Sequence, residues 1–296
     1  MDRSKYIGSS DIAAIMGLSP WRTPLDVYLA KVDPQPEPED EAKQNIFARG
    51  KVLEPLIVDA YARLYGVTIT ATNQSYAHPL HPYLASEIDA ETTDGENLEI
   101  KSVHPFAARD WGPHGSDEIP LHYYCQVQYA MECSGAGICK VVAMFGFDEM
   151  RAYPIMRDKD VGARLVSAAV SFWGDVQNRI QPEPSNLDDC KRLWPYALDK
   201  TLDADESVID RLVAYKNAND ARKDAEKAEA AAKLELLKII RDMEFVRSQT
   251  MHKLASYRNQ ETTRLDTTRL KKEQPDIFNQ YAKTTHSRVL RLHGGL

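Results

Sequence analysis

The chain has 296 residues, 43% of them hydrophobic and 27% charged, with a formal net charge of -7. That length supports one large domain or two small ones around a sizeable core, and the balance is that of a soluble globular protein. No apolar run is long enough to span a membrane, and the acidic balance argues against nucleic-acid binding over the whole surface while leaving room for a local basic channel.

The first residues, MDRSKYIGSS, lack an apolar signal core, so a cytosolic location is expected. The four cysteines, Cys125, Cys133, Cys139 and Cys190, form no CxxC pair and read as reduced, mostly core thiols.

In chain order, Tyr6 to Gly17 reads as a short capped helix: Ser9 or Ser10 at the N-cap, Asp11 in the first turn, Gly17 at the end. A helix N-terminus bearing hydroxyls is also an anion site, with Arg3 and Arg22 near enough in sequence to flank it; a plain cap with surface arginines is the equal alternative. Pro34 to Asp40 is a Pro/Glu-rich loop expected to be mobile. After Arg49-Gly50-Lys51 comes an amphipathic helix, with Leu53, Leu56, Ile57, Ala60, Tyr61 and Leu64 at helical spacing and Gly66 at its end. Glu54, in its first turns, reads either as a helix-dipole partner or as a carboxylate reaching a site. Val67 to Thr72 reads as a strand.

The stretch Ala85 to Ser102, ASEIDAETTDGENLEIKS, carries the strongest chemical signal. Asp94-Gly95 between polar neighbours marks a hairpin turn. Side chains alternate along a strand, so Glu99 and Lys101 share a face, Ile100 takes the other, and the hairpin brings Asp89 alongside. Two carboxylates and an ammonium on one patch suit a divalent cation such as Mg²⁺, which takes one or two carboxylates and keeps the rest of its shell for water and phosphate. Lys101 would then position or deprotonate an attacking water, or stabilise charge building on phosphorus. Taken alone, the D-x(n)-E-x-K pattern matches many ordinary hairpins.

A polar loop from His104 to Glu118 follows, with an exposed-looking Trp111. His104 and His114 read as surface residues. Tyr123 to Glu132 reads as a helix in which Gln126 and Gln128 either hold a reacting group or face water. Ile138 to Phe147 has the pattern of a buried central strand, Met150 to Met156 of its hairpin partner, and Asp158 to Ile180 of another amphipathic helix. Beyond Ser185 the character changes: a long Ala/Glu/Lys/Leu-rich helix from Asp203 to Arg241, then a tail with eleven Lys/Arg against six Asp/Glu over residues 241–296. In that tail strands are expected near Lys253 and over Val289 to Leu292, and a helix over Thr267 to Tyr281. Such a basic unit is either a DNA-contact surface or a solvated face.

Four ordered motifs, IGSSDIAAIMGLSPWRTPLDVY, RGKVLEPLI, ASEIDAE followed by LEIKS, and YYCQVQYAM, resemble the YqaJ-type viral recombinase family, related to phage lambda exonuclease among the PD-(D/E)xK nucleases. The resemblance implies an α/β (α+β) core over residues 1–185, a mixed central sheet flanked by helices, and a C-terminal extension over 186–296, a long helix plus a small basic α/β unit. It implies metal binding by Asp89, Glu99 and the Ile100 main-chain carbonyl, a catalytic Lys101 supported by Glu54 and Gln126, and a DNA 5′-phosphate pocket of Arg3, Ser10 and Arg22. Ile88 stands where many nucleases of the class carry proline, which is not a ligand position.

The implied reaction is Mg²⁺-dependent hydrolysis of linear double-stranded DNA from a 5′ end, with Mn²⁺ able to substitute, leaving 3′ single-stranded tails. The implied partners are a single-strand annealing protein and further copies of the chain, relatives being trimers, in the cytoplasm of a phage- or prophage-bearing host. An endonuclease or nickase on the same core and a non-catalytic DNA-binding assembly protein are the alternatives; the intact Asp89, Glu99 and Lys101 weigh against the second. An iron–sulfur nuclease of the CRISPR-associated kind is disfavoured by the unclustered cysteines.

Overall fold

A computed structural model describes residues 2–34 and 41–293. Most of the expected Pro34 to Asp40 loop therefore lies outside the described residues. The chain divides into two units, residues 1–190 and 191–296.

The first unit is built on a mixed sheet. A short strand β1 (Ile7–Gly8) leads into helix α1 (Ser9–Ile15), followed by α2 (Pro24–Val32) and the long α3 (Glu41–Tyr65). Strands β2 (Ile69–Ala77), β3 (Leu84–Thr92) and β4 (Asn97–Val103) come next, then α4 (Leu121–Ser134), β5 (Ile138–Phe145), β6 (Glu149–Met156) and α5 (Lys159–Asn178). β2 and β3 pair antiparallel over nearly their whole length, β4 runs parallel to β5, and β5 pairs antiparallel with β6. The other edge of β3 is shared. Its start pairs parallel with β1 at Leu84 and Ala85, and its end pairs antiparallel with β4 only at Ala90–Leu98 and Glu91–Asn97. Between these two pairings the β3 edge opens into a gap.

Strand alternation decides which residues face which layer. Ala90, Leu98, Ile100 and Val142 pack under Ile57, Val58 and Tyr61 of α3. On the opposite face Val141, Ala143 and Phe145 pack against Val127 and Met131 of α4, with Trp111 and Tyr153 completing the cluster. α4 buries residues on nearly every side, including Cys125, Tyr129 and Cys133, as a helix roofed by others must. It stops where Gly135 takes the left-handed conformation, φ 82°, which glycine adopts without steric cost.

Several expectations are corrected at this level. α1 is capped by Gly8, not by a serine, and its amide donates to the Asp11 carboxylate at 3.2 Å. α3 extends N-terminally through Arg49-Gly50-Lys51, and Leu56 and Leu64 are exposed because the helix buries the stripe carrying Ile57, Val58 and Tyr61 instead. Trp111 is buried, packed on Phe145, Tyr123 and Tyr153. The strand expected at Val67 begins at Ile69 and continues to Ala77.

In the second unit α6 (Leu187–Leu193) crosses the division, and α7 (Glu206–Ile240) is a 35-residue helix capped by Asp205. β7 (Phe245–Arg247) and β8 (Lys253–Ser256) form a small antiparallel pair, followed by α8 (Thr267–Glu273) and α9 (Pro275–Tyr281). The single helix expected over Thr267 to Tyr281 is two, because Pro275 lacks the amide needed to carry the ladder through Gln274. Val289 to Leu292 is not a strand. Among the described residues no helix is long and apolar enough to cross a membrane.

Candidate active site

The Asp94-Gly95 turn, with Gly95 at φ 75°, closes the hairpin that sets Asp89 beside Glu99 and Lys101. β3 and β4 part just after the turn-proximal pairs. The Ile100 amide, beyond the last β3–β4 register pair, donates to Asp89 Oδ2 at 2.7 Å. In a strand a residue's N–H and C=O point to the same side, so the Ile100 carbonyl also faces the gap. Glu99 is 5% exposed and is held from two directions. The Lys101 ammonium pairs with its Oε1, and Gln126 Nε2 on α4 donates to the same oxygen at 2.7 Å. Lys101 Nζ also lies 3.4 Å from Gln126 Oε1.

The electrostatics are those of a site short of positive charge. Burial and then Glu99 push the Asp89 carboxyl well above its ordinary value, and Lys101 and the Ile100 amide do not offset this. Burial, Glu99 and Glu87 likewise raise Glu54. Burial alone would lower Lys101, but Glu99 and Asp89 outweigh it, so the ammonium form is favoured.

A divalent cation fits this donor set. The neighbouring Glu99 disfavours charge on Asp89, and such repulsion is what a divalent ion relieves. Among the described residues no three His, Cys, Asp or Glu side chains are grouped to hold an ion by themselves. Water and phosphate oxygens would therefore complete the shell, as is usual for Mg²⁺.

The gap opens into a cleft of about 460 Å³ lined by Asp89, Glu54 and Gln126 together with Arg3, Ser10 and Lys51. Arg22, expected beside Arg3 and Ser10, does not line it. Its guanidinium is held by Asp11 Oδ1 at 2.8 Å. Asp11 is also bonded at 2.7 Å by Lys31 Nζ, which reaches the Arg3 carbonyl at 2.6 Å as well. Burial works against the Asp11 carboxylate, yet Lys31 and Arg22 outweigh it and hold its pKa below the ordinary value. Lys31 is itself pulled down by burial, with Arg22 and Arg3 close by and only partly offset by Asp11. The carboxylate is the partner that gains.

Lys51 is a cleft residue that the sequence pattern did not single out. It sits three positions before Glu54 on α3, the spacing that puts both on one helix face, and this was the available signal. Asn73 also lines the cleft. It stands in β2 between the Thr72–Ala90 and Gln74–Ile88 pairs, hence opposite Asp89, at φ 53°; nothing in the sequence marks it. Gln128 falls outside the site. It is fully buried, donating to the Met156 carbonyl at 2.7 Å and accepting from the Asp158 amide at 2.8 Å. His114 Nδ1 accepts from the Ala152 amide at 3.1 Å, which makes it structural.

The expected mixed sheet flanked by helices is present, with Asp89 on β3 and the Glu99-x-Lys101 pair on β4. Residues 1–137 match the model of the YqaJ-like viral recombinase domain family, the family that the four motifs resemble. The uncharacterized protein YqaJ of Bacillus subtilis is 24% identical over 97% of this chain and 91% of its own length. Similar solved structures include an alkaline exonuclease from Laribacter hongkongensis, crystallised with dAMP (20% identity, 64% of this chain, 94% of that chain, TM-score 0.49). A phage related exonuclease from Haemophilus somnus is similar at 12% identity, over 59% of this chain and 96% of that one, with a TM-score of 0.42.

Proposed function

We propose that the chain is a divalent-metal-dependent exonuclease acting on linear double-stranded DNA from a 5′ end, leaving 3′ single-stranded tails. The observation that carries this reading is the junction of Asp89, Glu99 and Lys101 in a gap that opens into a cleft bearing Arg3, Ser10 and Lys51. The motif resemblance and the recombinase-domain match support it.

Asp89, Glu99 and the Ile100 carbonyl would hold Mg²⁺, with Mn²⁺ able to substitute. When bound, such an ion polarises the phosphoryl group and lowers the pKa of water. Gln126 fixes the Glu99 carboxylate and, through its Oε1, the direction of the Lys101 ammonium. That ammonium would stabilise charge as it builds on the phosphorus of the scissile phosphate. Glu54 lines the cleft from α3, where it could accept a hydrogen bond from water. Arg3, the Ser10 hydroxyl and Lys51 would bind the terminal phosphate as two cations and a donor. Arg22 acts one step back, by neutralising Asp11.

Products such as 3′ tails would pass to a single-strand annealing protein, and further copies of the chain would assemble around the duplex in the host cytoplasm. The test is cleavage of a linear duplex labelled at either end, beside a covalently closed circle, with Mg²⁺ or EDTA. Loss from 5′-phosphorylated ends alone, only with metal, is expected. Cutting of the circle would make the protein an endonuclease, and binding without cutting of either substrate would make it an assembly protein.

A further inference from the structure

Beside Lys101, beyond the Tyr123 ring, lies a second cavity, which the reaction above leaves unused. It measures about 630 Å³ and is lined by Trp21, Ser102, Val103, Trp111, His122 and Tyr123, among others. Its chemistry is opposite to that of the cleft. Among the described residues no lysine or arginine lines it, and aromatic rings do, with Asp110 as its one carboxylate. Trp21 is 67% exposed, unusual for the largest apolar side chain. It is nonetheless held, edge-to-face with His122 at 4.7 Å and tilted against Tyr123 at 6.0 Å. His122 and Tyr123 are themselves in contact at 4.1 Å, and the Nε2 of His122 is buried without a hydrogen-bond partner.

The groove adjoins the proposed reacting centre through Tyr123. Lys101 Nζ lies 4.8 Å from the centroid of the Tyr123 ring, and Ser102 and Val103 directly follow Lys101 along β4. A strand whose scissile phosphate sits at Lys101 must continue on both sides of it. The cleft, with its two cations and hydroxyl, suits the phosphate end. Among the described residues the groove offers no lysine or arginine to a phosphate, but a set of ring faces to a base.

We propose that this groove is a base-stacking subsite, in which the nucleobase on the 3′ side of the scissile bond leaves its stack and lies on Trp21 against His122 and Tyr123. The assignment rests on the nuclease reading above and adds a substrate contact to it. Aromatic stacking accepts any base, because each has a π-face, so the subsite would grip the strand without reading its sequence.

The test uses full-length protein and 5′-phosphorylated duplexes in which one nucleotide of the first three is abasic, compared with intact duplex for affinity and for single-turnover cleavage with Mg²⁺. At one position, loss of the base is expected to weaken binding or slow cleavage roughly 5- to 100-fold in the wild type. Trp21→Ala should show the same loss on intact DNA and no further loss on the abasic duplex, and Trp21→Phe, which keeps a ring, should resemble the wild type. Losses that multiply in Trp21→Ala, or no sensitive position in the wild type, would overturn the subsite while leaving the nuclease intact. A wild type that neither binds nor cuts any duplex would overturn the nuclease reading, and the subsite with it.

Discussion

At the scale of single residues, Asp11 ties three segments to one carboxylate: the Gly8 amide, the Lys31 ammonium and the Arg22 guanidinium. Lys31 is only 9% exposed, so Asp11→Ala would strand a buried cation and is expected to cost ~3–5 kcal/mol. The pH dependence follows from the direction of the Asp11 shift. Its folded pKa lies below the ordinary 3.8, so its contribution to stability is complete above that value and is lost as pH falls through the lower, folded value. Denaturant midpoints measured from pH 7 down to pH 2 should therefore show a steeper acid loss in the wild type than in Asp11→Asn; parallel curves would remove Asp11 from this role. Asp89 behaves oppositely. Burial and Glu99 disfavour its charge, so Asp89→Asn, measured without metal, should raise Tm by ~2–4 °C per kcal/mol relieved while cleavage disappears. Lys51→Ala should weaken binding of 5′-phosphorylated DNA about tenfold and reduce the salt dependence of binding by about one counterion, read by titration at several salt concentrations. The roles of Asp11 and Lys51 were not legible in the sequence to the same degree as Glu99 and Lys101. Strand alternation makes the latter pair neighbours by rule, whereas Arg22 meets Asp11 only through tertiary packing across eleven residues.

At the scale of elements, the site is a consequence of how β3 divides its edge between β1 and β4. The hairpin itself was readable, because Asp-Gly between polar flanks and alternating apolar residues specifies a turn and a register together. The point at which β3 and β4 separate was not, because it depends on β1, two residues long and far away in sequence, taking the other half of the edge. The same limit explains Trp111. A polar, Gly/Pro-rich loop reads as surface, but the 3₁₀ turn at Pro105–Asp110 folds it back so that the indole closes the core under Phe145. Leu56 and Leu64 failed for a related reason. Helical spacing identifies an apolar face several residues wide, and packing on the sheet selects only part of it. Gln128 illustrates the reverse, a polar residue in the Q-V-Q motif that is wholly structural. Gln128→Leu leaves the Met156 carbonyl and the Asp158 amide without a partner, and should cost ~2–4 kcal/mol in thermal unfolding. Gln126→Ala should instead leave Tm nearly unchanged and lower the cleavage rate. Equal effects of the two on both readouts would contradict this division.

At the scale of the molecule, the residues proposed to bind and cut DNA all lie in the first unit, residues 1–190. That unit buries its own two-faced core, with α3 on one side of the sheet and α4 on the other. The change of composition after Ser185 pointed to a division, but α6 runs on, and Asp189 is buried in the first unit. It accepts from the Thr23 hydroxyl at 3.0 Å and the Ser185 amide at 2.9 Å. The second unit was legible as a long helix and a basic tail, and less so in detail, since its short strands and helices bury few apolar residues to impose a pattern. The central claim is that Asp89, Glu99 and Lys101 form a metal-dependent phosphodiesterase centre fed from a DNA end. The measurement that tests it most directly is single-turnover cleavage of a 5′-phosphorylated linear duplex by the wild type, Asp89→Asn and Lys101→Ala, each with Mg²⁺ and with EDTA. The account predicts Mg²⁺-dependent release of 5′ nucleotides by the wild type and a loss of at least ~10²–10³-fold in each variant, with DNA binding retained. Cleavage that survives EDTA, or that persists at the wild-type rate in either variant, would contradict it.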